Sequence, residues 1–256
     1  MKIVLHDWLE RYDRQLRVFG EEAQQRLSNA SIMVAGLGGL GCAAALYLTA
    51  AGVGKLLLVD DERVELSNLN RQVLHWTRDV GRPKVESAAE KLRELNPYVE
   101  IEPKAVRVDE SNVEALVSSV DLVIDGLDNW ETRLIVNDAC VKLGKPFIHA
   151  GVEGLRGQLL VVVPGRGPCL RCIVPRPLGE RRPLPVLGTT AGILALMEAT
   201  EAIKIVTGYA APAVGRMILY DGLKMSFHEV EVHRRPDCPT CSGVSRDGKQ
   251  LSHAIP

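Results

Sequence analysis

Four of the six cysteines form two C-x-x-C pairs, PCLRC and DCPTC, which lie far apart along the chain. Four thiolates can close a tetrahedral zinc site, and paired C-x-x-C motifs in a reducing compartment favour a metal over disulfides. Two unrelated reducible pairs, or a thioredoxin-like redox motif, are the alternatives, but neither pair opens a helix in a βαβ unit. A site closed by four protein ligands has no open position, so its role is structural. The predicted zinc ligands are Cys169, Cys172, Cys238 and Cys241.

A second candidate for chemistry is the glycine-rich stretch SIMVAGLGGLG, residues 31–41. Gly36, Gly38 and Gly41 match the G-x-G-x-x-G fingerprint of dinucleotide sites. A strand, a tight turn and a helix N-terminus present backbone N–H groups equally well to the phosphates of a dinucleotide or a mononucleotide. The stretch therefore predicts a nucleotide site and leaves both NAD and ATP open.

Charged residues after the glycine stretch bear on which nucleotide is bound. Asp60 ends the next predicted strand, where a carboxylate either accepts a ribose hydroxyl or simply ends the strand. Arg71 and Lys84 flank a long polar loop and either contact phosphates or are solvated. Asp128 is either a ligand for Mg²⁺ on a triphosphate or, with Glu131, the capping box of a helix. Nucleotidyl transfer needs several cations to offset developing charge, whereas hydride transfer does not.

Other residue types provide no further catalytic motif. The six histidines show no H-x-x-x-H or H-E-x-x-H spacing, and no G-x-S-x-G elbow is present. We therefore assign the histidines no catalytic role. Judged from the residues alone, Arg14 and Arg17 in RYDRQLRVFG belong to a solvated helix face.

Alternating strands and helices must position these residues. Strands are predicted at 31–36, 55–61, 121–126 and 146–152, and helices at 41–52, 82–96 and 129–144. Such alternation gives a mostly parallel sheet with helices on its faces, and ligands bind beyond the carboxyl ends of the strands. Further along, the pattern changes to a strand at 157–165, a Pro-rich loop, a helix at 189–208 and a hairpin around Asp221-Gly222.

These elements predict an α/β fold, with a doubly wound, Rossmann-like sheet and a C-terminal antiparallel extension stapled by zinc. We divide the chain into a nucleotide-binding part (1–155), a zinc-stapled part that completes the domain (156–243) and a disordered tail (244–256).

Composition gives no support for a nucleic-acid or membrane partner. The chain has 256 residues and a net charge of -1, which gives no argument for a nucleic-acid or membrane partner. No apolar run approaches the roughly 20 residues of a membrane span. Charged residues interrupt the N-terminal segment, which therefore lacks the apolar core of a signal peptide. We expect a cytoplasmic protein.

Taken together, the motifs resemble those of the ThiF/MoeB/HesA adenylyltransferases, relatives of the ubiquitin-activating enzymes. They are RYDRQ, GLGGLG, VDDERVELSNLNRQ, VGRPKVESAAEKL, DGLDNWETR and the split C-x-x-C pairs. They occur in the family's order from Arg11 to about Cys241. The resemblance implies a homodimer that binds Mg·ATP and a small ubiquitin-like sulfur-carrier protein ending in Gly-Gly. Such enzymes join AMP to the carrier's C-terminal carboxylate and release pyrophosphate, and the implied cofactors are ATP, Mg²⁺ and Zn²⁺.

The resemblance also implies roles for single residues. Asp128 matches the metal-binding, catalytically essential aspartate, Asp60 takes the ribose, and Arg71 and Lys84 contact phosphates. Arg14 matches an arginine that reaches into the site of the other subunit. The implied nucleotide-binding residues are Gly36, Gly38, Gly39, Gly41, Asp60, Asp61, Ser67, Asn68, Asn70, Arg71, Gln72, Lys84, Asp128 and Asn129. No general base is needed, because a carboxylate is already ionised at pH 7.

The sequence departs from several relatives in the segment after the first zinc pair. IVPRPLGERRPLPVLGTTAG contains no cysteine that could join the carrier as a thioester or a persulfide-derived link. Cys42 and Cys140 lie elsewhere and are expected to be buried core thiols. We therefore predict an enzyme that stops at the acyl-adenylate, with sulfur supplied by a separate sulfurtransferase. The basic residues of the segment either steer an acidic carrier or form a solvated linker; they are Arg176, Arg181 and Arg182.

Two other functions stay open from the sequence. An NAD-dependent oxidoreductase would need a catalytic His, Lys or Tyr near the nicotinamide. This function would also not explain Arg71, Lys84 or the predicted zinc site. A non-catalytic scaffold for a ubiquitin-like protein is opposed by the intact set of Arg71, Lys84 and Asp128. The carrier and its pathway are also open: molybdopterin, thiamine, tRNA thiolation, cysteine synthesis or protein modification.

Overall fold

A computed structural model describes residues 5–178 and 185–244 of the chain. The strands are β1 (Ser31–Ala35), β2 (Lys55–Val59), β3 (Glu100–Lys104), β4 (Leu122–Asp125), β5 (Phe147–Glu153), β6 (Arg156–Val162), β7 (Arg216–Asp221) and β8 (Ser226–Glu231). The helices are α1 (Leu5–Asn29), α2 (Gly39–Ala51), α3 (Lys84–Leu95), α4 (Val113–Ser118), α5 (Trp130–Leu143) and α6 (Gly188–Thr207). Of the predicted tail, residues 245–256 lie outside the described range.

All eight strands join in one sheet, in the order β3-β2-β1-β4-β5-β6-β7-β8. The first five in this order pair in parallel, and the pairs from β5 to β8 are antiparallel. The chain moves outward from β1 in both directions, so the topological switch lies between β1 and β4, where such folds bind ligands. The predicted α/β, Rossmann-like fold with a C-terminal antiparallel extension is confirmed. The proposed division at residue 155 coincides with the β5–β6 hairpin.

Helices cover both faces of the central parallel strands, which explains why β1, β2 and β4 are mostly apolar and buried, whereas the edge strand β3 carries three charged residues. In β1, Ile32 and Val34 pack into the layer of α2, α3 and α6. Met33 and Ala35 point to the other face, into the layer that contains α4, α5 and the C-x-x-C cysteines. Alternate residues of one strand thus reach two separate cores, because side chains along a strand alternate between faces.

The N-terminal helix α1 adds to the alternating elements that the sequence predicts. It is kinked at Gly20, where φ is 81°, and its Tyr12 is buried, accepting a hydrogen bond from Asn96 Nδ2 at 2.8 Å. Arg14 and Arg17 lie on its exposed side, as predicted for a solvated helix face, and Arg17 pairs with Asp13. None of the helices described combines the length and apolar character that a bilayer span requires.

Candidate nucleotide site and cysteine cluster

The turn after β1 brings backbone segments so close together that only glycine fits at two of its positions. Gly36 has a φ of 90°, and a Cβ there would lie 2.6 Å from the carbonyl oxygen of Gly126. A Cβ on Gly41 would lie 1.8 Å from the carbonyl oxygen of Gly36, so the first turn of α2 rests directly on the loop. Gly38 is the N-cap of α2 and offers no capping side chain, which leaves the first N–H groups of the helix for a ligand.

Substitution of Gly41 by alanine is expected to disrupt this turn. The added methyl group meets backbone atoms that cannot move aside, so ATP binding should be lost and the chain destabilised. Calorimetric titration with ATP and thermal unfolding would measure both effects. Gly192→Ala is the matched control, because no neighbouring atom lies within 4 Å of that Cβ. Its helical position should instead gain about 0.5–1 kcal/mol; equal losses in both variants would contradict the steric argument.

Asp60 supports the turn from the end of β2. One carboxylate oxygen accepts the Leu37 N–H at 2.7 Å and the other accepts the Glu62 N–H at 2.8 Å. Burial raises the pKa of Asp60, opposed by the Leu37 hydrogen bond and by the charge of Lys84. Asp60 therefore does more than end a strand: it ties the β2 end to the glycine turn.

Two basic residues of the β2–α3 connection differ in their surroundings. Lys84 is buried, at 3% exposure, and forms an ion pair with the exposed Glu62. The interpretation of Lys84 as a solvated cation is therefore wrong. Arg71 is half-buried and donates to the Ser67 carbonyl at 2.9 Å. Its Cγ would lie 3.5 Å from a Cβ on Gly39, which places it beside the first turn of α2.

The polar residues of the same connection fall into two groups. Asn68 is buried and accepts the Glu65 N–H at 2.9 Å, which caps a short 3₁₀ turn. Gln72 is buried too, and its Oε1 has no hydrogen-bond partner among the described residues. The other predicted nucleotide contacts are exposed on the loop; they are Asp61, Ser67 and Asn70.

Asp128 lies exposed in the loop between β4 and α5. The cap of α5 is Asn129, whose Oδ1 accepts the Thr132 N–H at 2.9 Å. The capping-box interpretation of Asp128 with Glu131 is therefore wrong. In the part of the chain that the structure describes, Asp128 forms no hydrogen bond or ion pair. A carboxylate in this position, beyond the carboxyl end of a strand, is the kind of oxygen ligand that Mg²⁺ prefers.

Backbone contacts bring these segments to one edge of the sheet. The glycine turn touches Gly126, two residues before Asp128, and Gly39 lies against Arg71. The start of α6 reaches the same place, since a Cβ on Gly188 would lie 2.7 Å from the Asn70 carbonyl oxygen. Arg14 is not joined to this group by any hydrogen bond or ion pair within residues 5–178 and 185–244.

The four C-x-x-C cysteines form one buried cluster in the layer that contains α5. The sulfurs of Cys169 and Cys238 are 3.6 Å apart, those of Cys172 and Cys241 are 3.5 Å apart, and all four lie within 4.8 Å of one another. A disulfide needs about 2.05 Å, whereas tetrahedral zinc with bonds of about 2.3 Å separates its sulfurs by about 3.8 Å. The predicted convergence is confirmed, and the donor set fits zinc.

Helix α5 holds both cysteine loops by hydrogen bonds. Asn137 Oδ1 accepts the Leu170 N–H at 2.9 Å, and Asp138 accepts Arg171 Nε at 2.8 Å from the same loop. Asp138 also accepts the Thr240 hydroxyl at 2.7 Å from the second loop. The helix that begins beside Asp128 thus also orders the cysteine cluster.

His75 is a buried contact of the glycine turn that sequence reasoning missed. Its Nε2 lies 3.3 Å from the Leu37 carbonyl oxygen, which can only accept, so Nε2 carries the proton. Nδ1 then accepts from the Ser87 hydroxyl at 3.0 Å, and Lys91 donates to Ser87 and pairs with Asp79. No sequence motif marks His75, because its partners come from separate elements.

Protonation of His75 should destabilise the fold in acid. Burial lowers its pKa from 6.5 to about 4, so between these values the unfolded chain binds a proton that the folded chain does not. Stability should therefore fall as the pH drops from about 6.5 to 4, by on the order of 3 kcal/mol from this group. Urea unfolding at pH 7, 6 and 5 would measure the slope. His75→Gln should flatten it, whereas the exposed His228→Gln should not.

The fold and site together define a class of protein. A glycine turn lies at the switch point of a parallel sheet, with the cationic side chains of Arg71 and Lys84 in the connection that borders it. This arrangement is typical of nucleotide-binding α/β domains, and the buried cluster of four thiols is a donor set that fits a structural metal.

Comparison with known proteins narrows this class. The ThiF family model matches residues 12–240. The chain is 43% identical over 241 residues to the SAMP-activating enzyme E1 of Haloferax volcanii, covering 91% of this chain and 88% of that one. It is 41% identical over 245 residues to the sulfur carrier protein adenylyltransferase of Thermus thermophilus, covering 91% and 90%. The crystal structure of E. coli MccB with ATP superimposes with a TM-score of 0.82 at 25% identity, covering 90% and 74%. This chain belongs to the ThiF family.

Proposed function

We propose that this protein adenylates the C-terminal Gly-Gly carboxylate of a small ubiquitin-like sulfur-carrier protein, using ATP and releasing pyrophosphate. Family membership and the activities for which the Haloferax and Thermus relatives are named support this proposal. The observation that carries it is the exposed Asp128 carboxylate, which has no hydrogen-bond or ion-pair partner among the described residues. It lies in the loop that touches the glycine turn, and Arg71 borders the same turn. The product would serve sulfur transfer in cofactor, tRNA or amino-acid biosynthesis.

The reaction assigns each residue a simple task. A carboxylate oxygen of the carrier attacks the α-phosphorus and forms a new P–O bond. The bond between the α-phosphorus and the oxygen that bridges to the β-phosphate breaks, and pyrophosphate leaves with the electron pair of that bond. The N–H groups at the start of α2 bind phosphate, and Asp60 binds the ribose. Arg71 and Lys84 offset the negative charge that develops on the leaving group. Asp128 would hold Mg²⁺, which would offset part of the negative charge of the triphosphate.

The buried cysteines support a reaction that stops at the acyl-adenylate. Cys42 and Cys140 are both fully buried, and burial raises the pKa of Cys42 to about 12. Burial also raises the pKa of Cys140. Neither thiol can act as a nucleophile toward the adenylate, so a separate sulfurtransferase would supply the sulfur. Arg176 of the crossover segment is exposed, and Arg181 and Arg182 lie outside the described residues.

Three further features belong to the same proposal. The cysteine cluster holds a structural Zn²⁺, which its thiol donors and spacing favour. The protein acts as a homodimer in the cytoplasm, where thiols stay reduced. Arg14, exposed on α1 and unconnected to the site of its own chain within the described residues, contributes to the site of the other subunit.

Pyrophosphate exchange into ATP tests the proposal directly. Purified protein is mixed with labelled pyrophosphate, Mg·ATP and each small Gly-Gly-terminated protein of the source organism in turn. Exchange should require one such carrier and should vanish when its last glycine is deleted. Carrier binding without exchange would instead support a scaffold. Binding of NADH, followed by its fluorescence and not reversed by added ATP, would support an oxidoreductase.

A further inference from the structure

A buried polar cluster lies directly behind the loop that carries Asp128. It contains Asp125 at the end of β4, Arg133 in α5 and His149 in β5, whose side chains are 0%, 8% and 0% exposed. The carboxylate of Asp125 accepts Arg133 Nε at 3.1 Å and His149 Nδ1 at 2.6 Å. Gln158 contacts the other nitrogen of His149 at 3.3 Å. Four elements of the fold therefore meet in one hydrogen-bonded group.

The charges of this cluster balance as a single ion pair. Burial lowers the pKa of His149, so the ring is neutral and donates from Nδ1 to Asp125. Glu198 of α6 is also fully buried, without a hydrogen-bond partner among the described residues. Burial, with Asp125 nearby, raises its pKa well above the usual range and keeps it neutral. The remaining charges are those of Asp125 and Arg133, and removal of one would leave the other buried and unpaired.

Both backbone polar groups of Leu127, its N–H and its carbonyl, are bonded by this ion pair. Asp125 Oδ1 accepts the Leu127 N–H at 3.0 Å, and Arg133 Nη2 donates to the Leu127 carbonyl. The same nitrogen donates to the Ala150 carbonyl of β5 at 3.2 Å. On the other side of Asp128, the Asn129 cap fixes the start of α5. Asp128 is thus an exposed residue between two immobilised neighbours.

We propose that Arg133 is a positioning residue, which through its bonds to Asp125 and to the Leu127 carbonyl sets Asp128 for Mg²⁺ bound with ATP. Arg133 is buried, and within the described residues its hydrogen bonds go to Asp125 and to the carbonyls of Leu127 and Ala150, so it acts through the loop rather than on the substrate. A preformed carboxylate binds a metal without first paying the entropy of ordering its loop. The inference rests on the proposed function, because it assumes Mg·ATP at Asp128.

Calorimetric titration of the full chain with ATP, once in EDTA and once in Mg²⁺, tests this role. Arg133→Lys keeps the charge opposite Asp125, but one ammonium group cannot reproduce the guanidinium's fixed fork toward Asp125, Leu127 and Ala150. We expect the Mg²⁺-dependent gain in ATP affinity to shrink about tenfold, with the affinity in EDTA unchanged within twofold. His149→Gln, which removes the Nδ1 donor to Asp125, should shift the gain in the same direction by less.

Two comparisons make the result decisive. Arg93→Lys is the matched control, because Arg93 also donates to a backbone carbonyl, that of Ile101 at 2.8 Å, but at the β3 edge; its Mg²⁺ gain should equal that of the wild type. In an Asp128→Ala background, Arg133→Lys should change nothing further. The positioning role would be overturned if the Mg²⁺-dependent gain of Arg133→Lys equalled that of the wild type, including the case in which ATP affinity falls equally with and without Mg²⁺. A wild type without any Mg²⁺ gain would instead refute the metal role of Asp128 in the proposed function.

Discussion

Asp128→Ala is expected to lower ATP–pyrophosphate exchange by about a thousandfold or more while leaving the fold intact. Its carboxylate is exposed and makes no hydrogen bond or ion pair with the described residues, so its removal should change stability by no more than about 0.5 kcal/mol. The same isolation makes it available to hold Mg²⁺ against the charge of the triphosphate. The loss should therefore appear in the chemical step and not in unfolding.

Exchange assays at saturating ATP and carrier, with thermal unfolding followed by circular dichroism, would separate these two effects. Glu131→Ala is a suitable control, because it removes an exposed carboxylate three residues further on, in the first turn of α5. It should retain exchange close to the wild-type level. Unchanged exchange in Asp128→Ala, or an equal loss in Glu131→Ala, would refute the assigned role of Asp128.

Loss of one cysteine of the cluster should produce the largest change in stability. Cys238 is 0% exposed. Its sulfur and that of Cys169 belong to the same cluster of four, so one metal ion would join their two loops. Structural zinc contributes its binding free energy to folding. Cys238→Ser should therefore lose the metal and several kcal/mol, which lowers the unfolding temperature by about 10 °C or more. Chelation of the wild type should have a similar effect.

Metal analysis and scanning calorimetry would check this expectation. Cys140→Ala is the matched control, since Cys140 is equally buried but lies outside the cluster. It should keep one zinc ion per chain and lose only about 1–2 kcal/mol from the small cavity. A Cys238→Ser protein with full zinc content and an unchanged unfolding temperature would contradict a zinc role for the cluster.

The elements of this fold were predictable because their signals are local. Apolar runs of strand length alternate with Ala/Leu-rich helical segments, and each run between residues 31 and 152 that the sequence indicates as a strand is one in the structure. The hairpin near Asp221 was also expected, although its loop spans four residues and turns through Met225, with a φ of 51°. Helix α1 was harder to predict, since its buried side rests on contacts such as Tyr12 with Asn96.

Local sequence patterns were enough to locate the two candidate sites, because glycine spacing predicts a tight turn from backbone geometry and paired cysteines predict a shared metal site from their ligand type. The surroundings of each neighbouring residue became clear only in the folded chain. Asn129 rather than Asp128 caps α5, so the Asp128 carboxylate does not accept a capping hydrogen bond. Lys84 is buried and pairs with the exposed Glu62, and the buried Arg133 pairs with Asp125. These outcomes depend on burial and on partners from distant segments, which exist only once the sheet has brought the strand ends together.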